Sequence, residues 1–440
     1  MNAASSARLV RLVLIVAATL AFGGIEGVGQ VLHRFDFGVS GEATAEGFVA
    51  VDAATSFTRE RGYGFEPGTA IEVIDRGGGD LQRRDFATAA APFHFSVVVP
   101  REGNYRVTVV LGDAGGESVT TVKAELRRLM VEQAATRRHG FLVRRFLVNT
   151  RTPRIDDTRS VRLKDREKTS EAWAWDDRIT LEFSGARPAV CSVEIEHADD
   201  VPTLFLLGDS TMTDQAREPY AGWGQMITRF LKDDIAVANH GESGESYASA
   251  FAEGRFDKVA SLLRAGDFVA MQFGHNDQKA QGAGMGAFLS YADEVRRAIA
   301  LVRERKGVPI LVTSMQRREF DAAGRVVNTL GDYPEAVRRV AAEERVALID
   351  LHGMSTALYE AFGPEGSGAL FKEGDATHHS PFGAYELAKC VVMGLRAARL
   401  PFAASIADDF IPFDPSRPDA AAAFSVPPSF TPHAPRPEGS

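Results

Sequence analysis

From about residue 201 to residue 400 the chain alternates short, unbroken apolar runs with stretches of helical periodicity. "TLFLL" precedes "WGQMITRFLK", "IAVAN" precedes "FDKVASLLRAG", and "DFVAMQFG" precedes "FLSYADEVRRAIALVRER". "PILVTS" then precedes "YPEAVRRVAAEE", and "VALIDL" precedes "ALYEAFG". Continuous apolar runs fit strands buried on both faces, whereas a strand with one wet face alternates. Five such strands with helices between them predict a parallel sheet in a three-layer α/β/α fold. A last helix is predicted over residues 381–396, with Ser380 as its cap and Pro381 in its first position.

The region from 30 to 199 has a different texture. "FHFSVVV", "NYRVTVVLG", "RITLEFSG" and "AVCSVEIEH" are short β-branched or aromatic runs separated by Gly, Pro and Asp signals, which predicts an antiparallel β-sandwich. "HRFDFGVSGEATAEGFVAV" and "AWAWDDRITLEFSGARPAVCSVEIEH" resemble the galactose-binding-like jelly rolls found beside carbohydrate-active enzymes. At the N-terminus, Arg8 and Arg11 stand ahead of an apolar run from Leu12 to about Phe22. That is the layout of a secretory signal peptide, too short for a comfortable membrane span, although an uncleaved anchor is the alternative. The expected organisation is therefore a signal peptide at 1–29, a sandwich at 30–199, an α/β domain at 200–400 and a Pro/Ala-rich tail at 401–440. The expected location is secreted or periplasmic, with no stable membrane insertion after cleavage. The tail is expected to be irregular or draped over the surface.

With 45% hydrophobic and 25% charged residues, the chain has a globular composition. Its formal net charge of -9 argues against nucleic acid as a partner, because a phosphate backbone demands clustered cations. The two cysteines, Cys191 and Cys390, read as small core residues in different domains. Cys191 is expected to share a strand face with Val193, and a disulfide is not expected.

In open parallel sheets ligands gather beyond the carboxyl ends of the strands. Four polar clusters fall there: Gly208-Asp209-Ser210, "ANHGESGES" at 238–246, "GHND" at 274–277 and "GDATHHS" at 374–380. Ester cleavage needs a nucleophile, a base held in one tautomer and donors for an oxyanion. Ser210 can supply the nucleophile, His378 the base and Asp375 the group that orients it. The N–H groups of Ser210 and Gly244 and the Asn276 amide can form the oxyanion hole. No metal or organic cofactor is called for. G-x-S-x-G, H-E-x-x-H, G-x-x-x-x-G-K and helix-opening G-x-G-x-x-G are all missing, against ordinary α/β-hydrolases, zinc proteases, and nucleotide- and dinucleotide-binding enzymes.

These clusters resemble the four blocks of the SGNH (GDSL-type) hydrolase superfamily. "GDSTMTD", "GWGQMI", "SGESYASAFAEGRFDKV", "GDFVAMQFGHNDQK", "GDYPEAVRRVA" and "DATHHSPFGAYELA" are similar to rhamnogalacturonan acetylesterases, family twelve of the carbohydrate esterases. The resemblance implies a flavodoxin-like five-stranded sheet and a Ser210–His378–Asp375 triad with Ser210, Gly244 and Asn276 as oxyanion donors. It implies a secreted serine esterase that removes acetyl groups from a polysaccharide or oligosaccharide, pectic rhamnogalacturonan first among candidates. The alternatives are acetylated xylan, another acylated glycan or a short-chain ester, and, in a different class, a non-catalytic glycan-binding protein. In the second block Gly241 competes with Gly244, and the "SGES" context favours Gly244.

Other residues are open to two readings. His379 competes with His378 for the base, but the Asp-x-x-His spacing favours His378, leaving His379 to face outward or tune the loop. His275 and His352 read as positioning or structural residues. Trp173 and Trp175 read as one side of a strand, either a sandwich core or interdomain contact or, alternatively, a grip for sugar faces. Arg317 and Arg318 can be hydrated loop residues or forks for uronate carboxylates.

Overall fold

The computed structural model of the chain describes residues 31–429. The expected signal peptide lies outside the described residues, as do residues 430–440. Among the described residues no helix is long and apolar enough to cross a membrane.

The first domain is built from β1 (Val31–Phe37), β2 (Val49–Val51), β3 (Tyr63–Phe65), β4 (Glu72–Asp75), β5 (Asp85–Thr88) and β6 (Phe93–Val98). It continues with β7 (Gly103–Gly112), β8 (Ser118–Ala124), β9 (Arg128–Thr136), β10 (Phe141–Thr150), β11 (Arg178–Arg187) and β12 (Val190–His197). One sheet runs β10-β7-β12-β1-β2, with β5 and β4 added beside β12; the other runs β3-β6-β11-β8-β9. Pairing is antiparallel except between β1 and β2. In β7, Tyr105, Val107, Val109 and Leu111 are all buried at a spacing of two, so this strand turns one face wholly inward. They meet a cluster of phenyl rings in which Phe95 stands edge-on to Phe35 and Phe37, at 5.1 and 5.0 Å. The expected placement of Cys191 beside Val193 needs correction. An irregularity between Val190 and Ser192 shifts the register, and Cys191 packs with Phe86 and Ala189 while Val193 joins the main core.

The second domain has the predicted parallel sheet of five strands: β13 (Thr203–Gly208), β14 (Ala236–Asn239), β15 (Phe268–Gln272), β16 (Val308–Val312) and β17 (Ala347–Ile349). Their order is β14-β13-β15-β16-β17. Leu204 and Leu206 point into one layer with Trp223 and Leu387, and Phe205 and Leu207 into the other with Phe256 and Val295. Burial on both faces is why the strands read as unbroken apolar runs. The helices are α1 (Trp223–Met226), α2 (Tyr247–Ala252), α3 (Arg255–Leu262), α4 (Ala292–Glu304), α5 (Tyr333–Glu344), α6 (Leu351–Gly366) and α7 (Pro381–Ala397). The expected helix "WGQMITRFLK" is only a short turn of α1 followed by a tighter turn at Ile227–Phe230. Ser380 caps α7 by accepting from the Gly383 N–H. The tail is irregular, yet it does more than drape: Phe402 and Phe413 are buried in the α/β core, and the Phe402 ring lies 4.4 Å from that of Phe268.

The two domains meet through apolar contacts, with Leu129 of β9 buried in the α/β core and Leu147 packed with Ala236, and through charged side chains. Trp173 and Trp175 lie here, in a tight helical turn, Ala172–Trp175, rather than in the expected strand. Trp175 is buried, with its indole N–H donating to Glu167 Oε1 (2.9 Å) and the Arg151 guanidinium 4.4 Å from its ring centre. Glu167 also pairs with the buried Arg255 at 2.7 Å. At the turn from β8 to β9, Arg127 Nη1 donates to the carbonyls of Gln215 and Tyr220, each at 3.0 Å. Arg128, fully buried, pairs with Asp214 at 2.6 Å. Removing one partner of a buried pair strands the other charge. Arg128→Ala is therefore expected to lower unfolding free energy by about 3–5 kcal/mol, read as a drop in the urea midpoint; a loss under 1 kcal/mol contradicts the role given to this pair.

Candidate active site

β13 ends at Gly208, where no side chain fits: a Cβ would lie 2.6 Å from the Gln272 carbonyl oxygen on β15. The chain then turns, and the Asp209 carboxylate fixes that turn. It accepts from the Thr211 N–H (3.0 Å) and hydroxyl (2.7 Å), and from His275 Nδ1 (3.0 Å) in the third cluster. Burial alone would push the Asp209 carboxyl up; the His275 ring and these donors outweigh it and hold it below its ordinary range.

Ser210 follows. Its Oγ lies 2.9 Å from His378 Nε2, and His378 Nδ1 lies 2.9 Å from Asp375 Oδ2. The other Asp375 oxygen accepts from the N–H groups of Thr377 (2.8 Å) and His378 (3.0 Å). Burial opposes the Asp375 charge, but the His378 ring and these two N–H groups hold the carboxyl well below its usual range. A carboxylate on Nδ1 leaves Nε2 to accept the Ser210 proton. Tyr220 stands edge-on to the His378 ring at 5.9 Å. The loop carrying His378 is closed by bonds from Lys372 N–H to the His378 carbonyl (3.1 Å) and from Arg318 N–H to the Ala376 carbonyl (2.8 Å).

The second and third clusters lie against the Ser210 turn. The Glu242 N–H donates to the Gly208 carbonyl (3.0 Å), and Thr213 Oγ1 donates to the Gly241 carbonyl (2.6 Å). Gln215 Nε2 joins the Ser210 carbonyl (2.7 Å) to Ser243 Oγ (3.2 Å). The two candidate glycines differ. Gly241 is buried and its N–H donates to Asn239 Oδ1 at 3.1 Å. Gly244 is partly open and sits at φ +82°, where glycine is at ease; among the described residues its N–H has no hydrogen-bond acceptor. Asn276 Nδ2 donates to the Glu245 carbonyl at 2.9 Å. One of its amide hydrogens thus ties the third cluster to the second, and one is left for a ligand.

The remaining histidines and arginines are spent on the fold. His379 does not face outward: it is buried, its Nε2 meets the Tyr359 hydroxyl at 2.8 Å and its ring lies 4.5 Å from Phe371. Burial and the neighbouring His378 push its pKa down to about 3. His275 holds Asp209 with one nitrogen and faces the Met315 carbonyl with the other (3.0 Å), so neither is available as a base. His352 lies between Arg338 and Asn328, at 3.3 Å from each. Arg317 donates to Thr377 Oγ1 (3.3 Å) and Thr329 Oγ1 (3.2 Å), and Arg318 to Ser367 Oγ (3.1 Å) and the Pro364 carbonyl (2.6 Å). Both guanidinium groups therefore fasten loops together. Among the described residues no three His, Cys, Asp or Glu side chains gather as a metal site.

His275 has the positioning role expected of it, but its pairing with Asp209 was not read from the sequence; their opposite chemistry was a usable signal. Sequence reasoning missed the other residues that hold the clusters in place. Arg127, Arg128, Lys164 and Arg166 come from the other domain, in stretches that look like hydrated loops.

Residues 206–383 match the family model described as GDSL-like Lipase/Acylhydrolase, and residues 33–135 match one described as Beta-agarase/YXIM esterase-like, galactose-binding domain-like. The chain is 39% identical over 213 residues to the rhamnogalacturonan acetylesterase RhgT of Bacillus subtilis (strain 168), covering 45% of this chain and 91% of that protein. It is 26% identical over 402 residues to the uncharacterized esterase YxiM of the same strain, covering 87% of this chain and 96% of that one. The crystal structure of the Bacillus subtilis YxiM protein aligns over 84% of this chain and 99% of its own, with a TM-score of 0.45 and 22% identity.

One acid of the third cluster sets a pH dependence. Asp277 accepts from the Tyr247 N–H at 2.9 Å, but burial pushes its carboxyl from 3.8 to about 7. Between those values the unfolded chain has released a proton that the folded chain retains, so stability falls as pH rises through this window. Asp277→Asn keeps the acceptor and removes the cost. Its melting temperature is expected to exceed that of the parent at pH 8, by an amount reflecting a few kcal/mol, and to match it near pH 4; an equal difference at both pH values contradicts the assignment.

Proposed function

Because the chain belongs to the GDSL-like lipase/acylhydrolase family and carries a galactose-binding-like domain ahead of the hydrolase domain, we propose that this carboxylic-ester hydrolase is an exported polysaccharide acetylesterase, with pectic rhamnogalacturonan as its substrate. The observation that carries the reaction class is the relay Ser210 Oγ–His378 Nε2–Asp375, with 2.9 Å at each step. The substrate assignment draws its support from the 39% identical relative named as a rhamnogalacturonan acetylesterase.

In this reading Ser210 Oγ attacks the acetyl carbonyl carbon while His378 Nε2 takes its proton. The negative oxygen of the tetrahedral intermediate is held by the N–H groups of Ser210 and Gly244 and the Asn276 amide. Collapse breaks the ester bond, His378 returns the proton to the departing sugar hydroxyl, and an acetyl-serine remains. A water that gives its proton to the same histidine then attacks the acetyl-serine, releasing acetate and restoring Ser210. Asp375 stays ionised throughout and stabilises the imidazolium formed in each half. The N-terminal apolar run supports export before cleavage.

The test is acetate release from acetylated rhamnogalacturonan, acetylated xylan and an activated aryl acetate. The parent enzyme is expected to favour the pectic substrate, Ser210→Ala to release none above background, and Asn276→Ala to lose about a hundredfold or more in kcat. Preference for xylan moves the enzyme to the alternative glycan. No release from any ester by folded protein returns the chain to a glycan-binding role.

A further inference from the structure

The connection from β10 to β11 carries Lys164 and Arg166 across the domain seam onto the loop that contains Gly244. Lys164 Nζ and Arg166 Nη2 both donate to the Ser243 carbonyl, each at 2.6 Å. Each also pairs within the same loop, Lys164 with Glu245 at 2.6 Å and Arg166 with Glu242, while Arg166 Nε faces Glu171 of its own connection at 3.5 Å. One carbonyl thus receives two cationic donors, and it belongs to the peptide unit whose N–H is that of Gly244.

The conformation of this segment makes that contact consequential. The Glu245 N–H donates to the Glu242 carbonyl (3.3 Å), with Ser243 and Gly244 between them and Gly244 at φ +82°. These are the marks of a type II turn. Type I and type II turns differ by a flip of the central peptide, here the one joining Ser243 to Gly244. In a trans peptide the C=O and N–H point in opposite directions. With its oxygen drawn to the seam, this peptide turns its N–H to the other side. The same loop lies against Gly208, Thr213 and Gln215 of the Ser210 turn, through Glu242, Gly241 and Ser243, and is tied to Asn276 through Glu245. A flip to type I would replace that donor with a carbonyl oxygen, which repels an oxyanion.

We propose that Lys164 and Arg166 are positioning residues for the oxyanion hole: from the sandwich domain they lock the Ser243–Gly244 peptide in the orientation that aims the Gly244 N–H at the reacting oxygen. Charge-assisted bonds to the carbonyl also polarise the peptide and strengthen its N–H as a donor. The inference rests on the assignment of Gly244 made under the proposed function, and it gives the sandwich a part in ester cleavage that does not depend on its binding sugar.

The experiment measures kcat and KM for an activated aryl acetate, with inhibition by an arylboronic acid as a tetrahedral mimic. Lys164→Met and Arg166→Gln are each expected to lower kcat about tenfold, less than the loss of a direct donor, with KM within about twofold because the effect falls on the oxyanion. Boronate affinity falls in parallel with kcat, and Lys164→Arg restores most of both. Lys258→Met, which breaks another seam pair (Lys258–Glu102, 2.7 Å) away from Ser243, is expected to lower the melting temperature and leave kcat unchanged. Arg166→Gln carries the comparison alone if Lys164→Met does not fold, since the Glu242 carboxyl, raised by burial to about 7, can take a proton once the guanidinium is gone. Lowered melting temperatures with unchanged kcat and boronate affinity overturn the proposal. Full activity in Ser210→Ala overturns the esterase mechanism instead, so the two failures are distinct.

Discussion

The loops that carry the candidate site are held by charge from the neighbouring domain, buried at Arg127 and Arg128 and half-buried at Lys164 and Arg166. Arg128 on Asp214, Arg127 on the carbonyls of Gln215 and Tyr220, and Lys164 and Arg166 on Ser243 span the seam between sandwich and α/β layers. Bringing such ions out of water is costly and is offset by well-placed acceptors, although among the described residues Arg127 Nε and Arg128 Nη2 find none. The seam carries the strain of that requirement in its carboxyls: burial first, and crowding by like charges next, raises Glu242 to about 7 and Glu171 to about 8. The two domains therefore act as one unit around the site, and the α/β layers alone lack the partners these loops are built against.

Within the α/β domain the histidines are separated by what their nitrogens face. His275 meets a carboxylate on one side and a carbonyl on the other, which spends it on joining the first cluster to the third. His379 is bonded to Tyr359 and flanked by Phe371, inside the fold. His378 alone of these three pairs a carboxylate at Nδ1 with a serine hydroxyl at Nε2. The same residue type supplies a strut, a core contact and a candidate base, and hydrogen-bond partners rather than sequence context decide which is which.

The parallel sheet was legible because burial on both faces removes the ambiguity that a half-wet strand carries; all five apolar runs became β13 to β17. The segments that bring Ser210 to His378 and Asp375 were legible because three clusters follow strand ends, the fourth follows the helix after the last strand, and the clusters keep their order. The failures have equally specific causes. An irregularity of register put Cys191 on the other face from Val193. Trp173 and Trp175 alternate like a strand, but the turn they occupy is governed by burial of Trp175 against Glu167 and Arg151. β9 was unread because its first residue is a buried arginine, which breaks the expected pattern. "KDREKTS" at 164–170 has the composition of a solvated loop, and nothing local indicates that two of its cations end on a carbonyl of the other domain.

The polar contacts of the seam answer a geometric need that its apolar contacts, such as Leu129 in the α/β core, do not. Apolar burial is non-directional: it rewards area removed from water and is nearly indifferent to which way a peptide plane faces. A hydrogen bond to a carbonyl constrains both distance and direction. The turn at Glu242–Glu245 has two conformations of similar shape that differ in the sense of one peptide, and Gly244 has no side chain through which packing could choose between them. Two cations converging on the Ser243 oxygen discriminate between those conformations directly, because only one of them presents an acceptor. Where function requires a backbone N–H to point one way, ionic donors on the opposite end of its peptide are the economical means, and the buried Glu242 and Glu245 carboxylates beside the turn find their counter-charge in the same two cations.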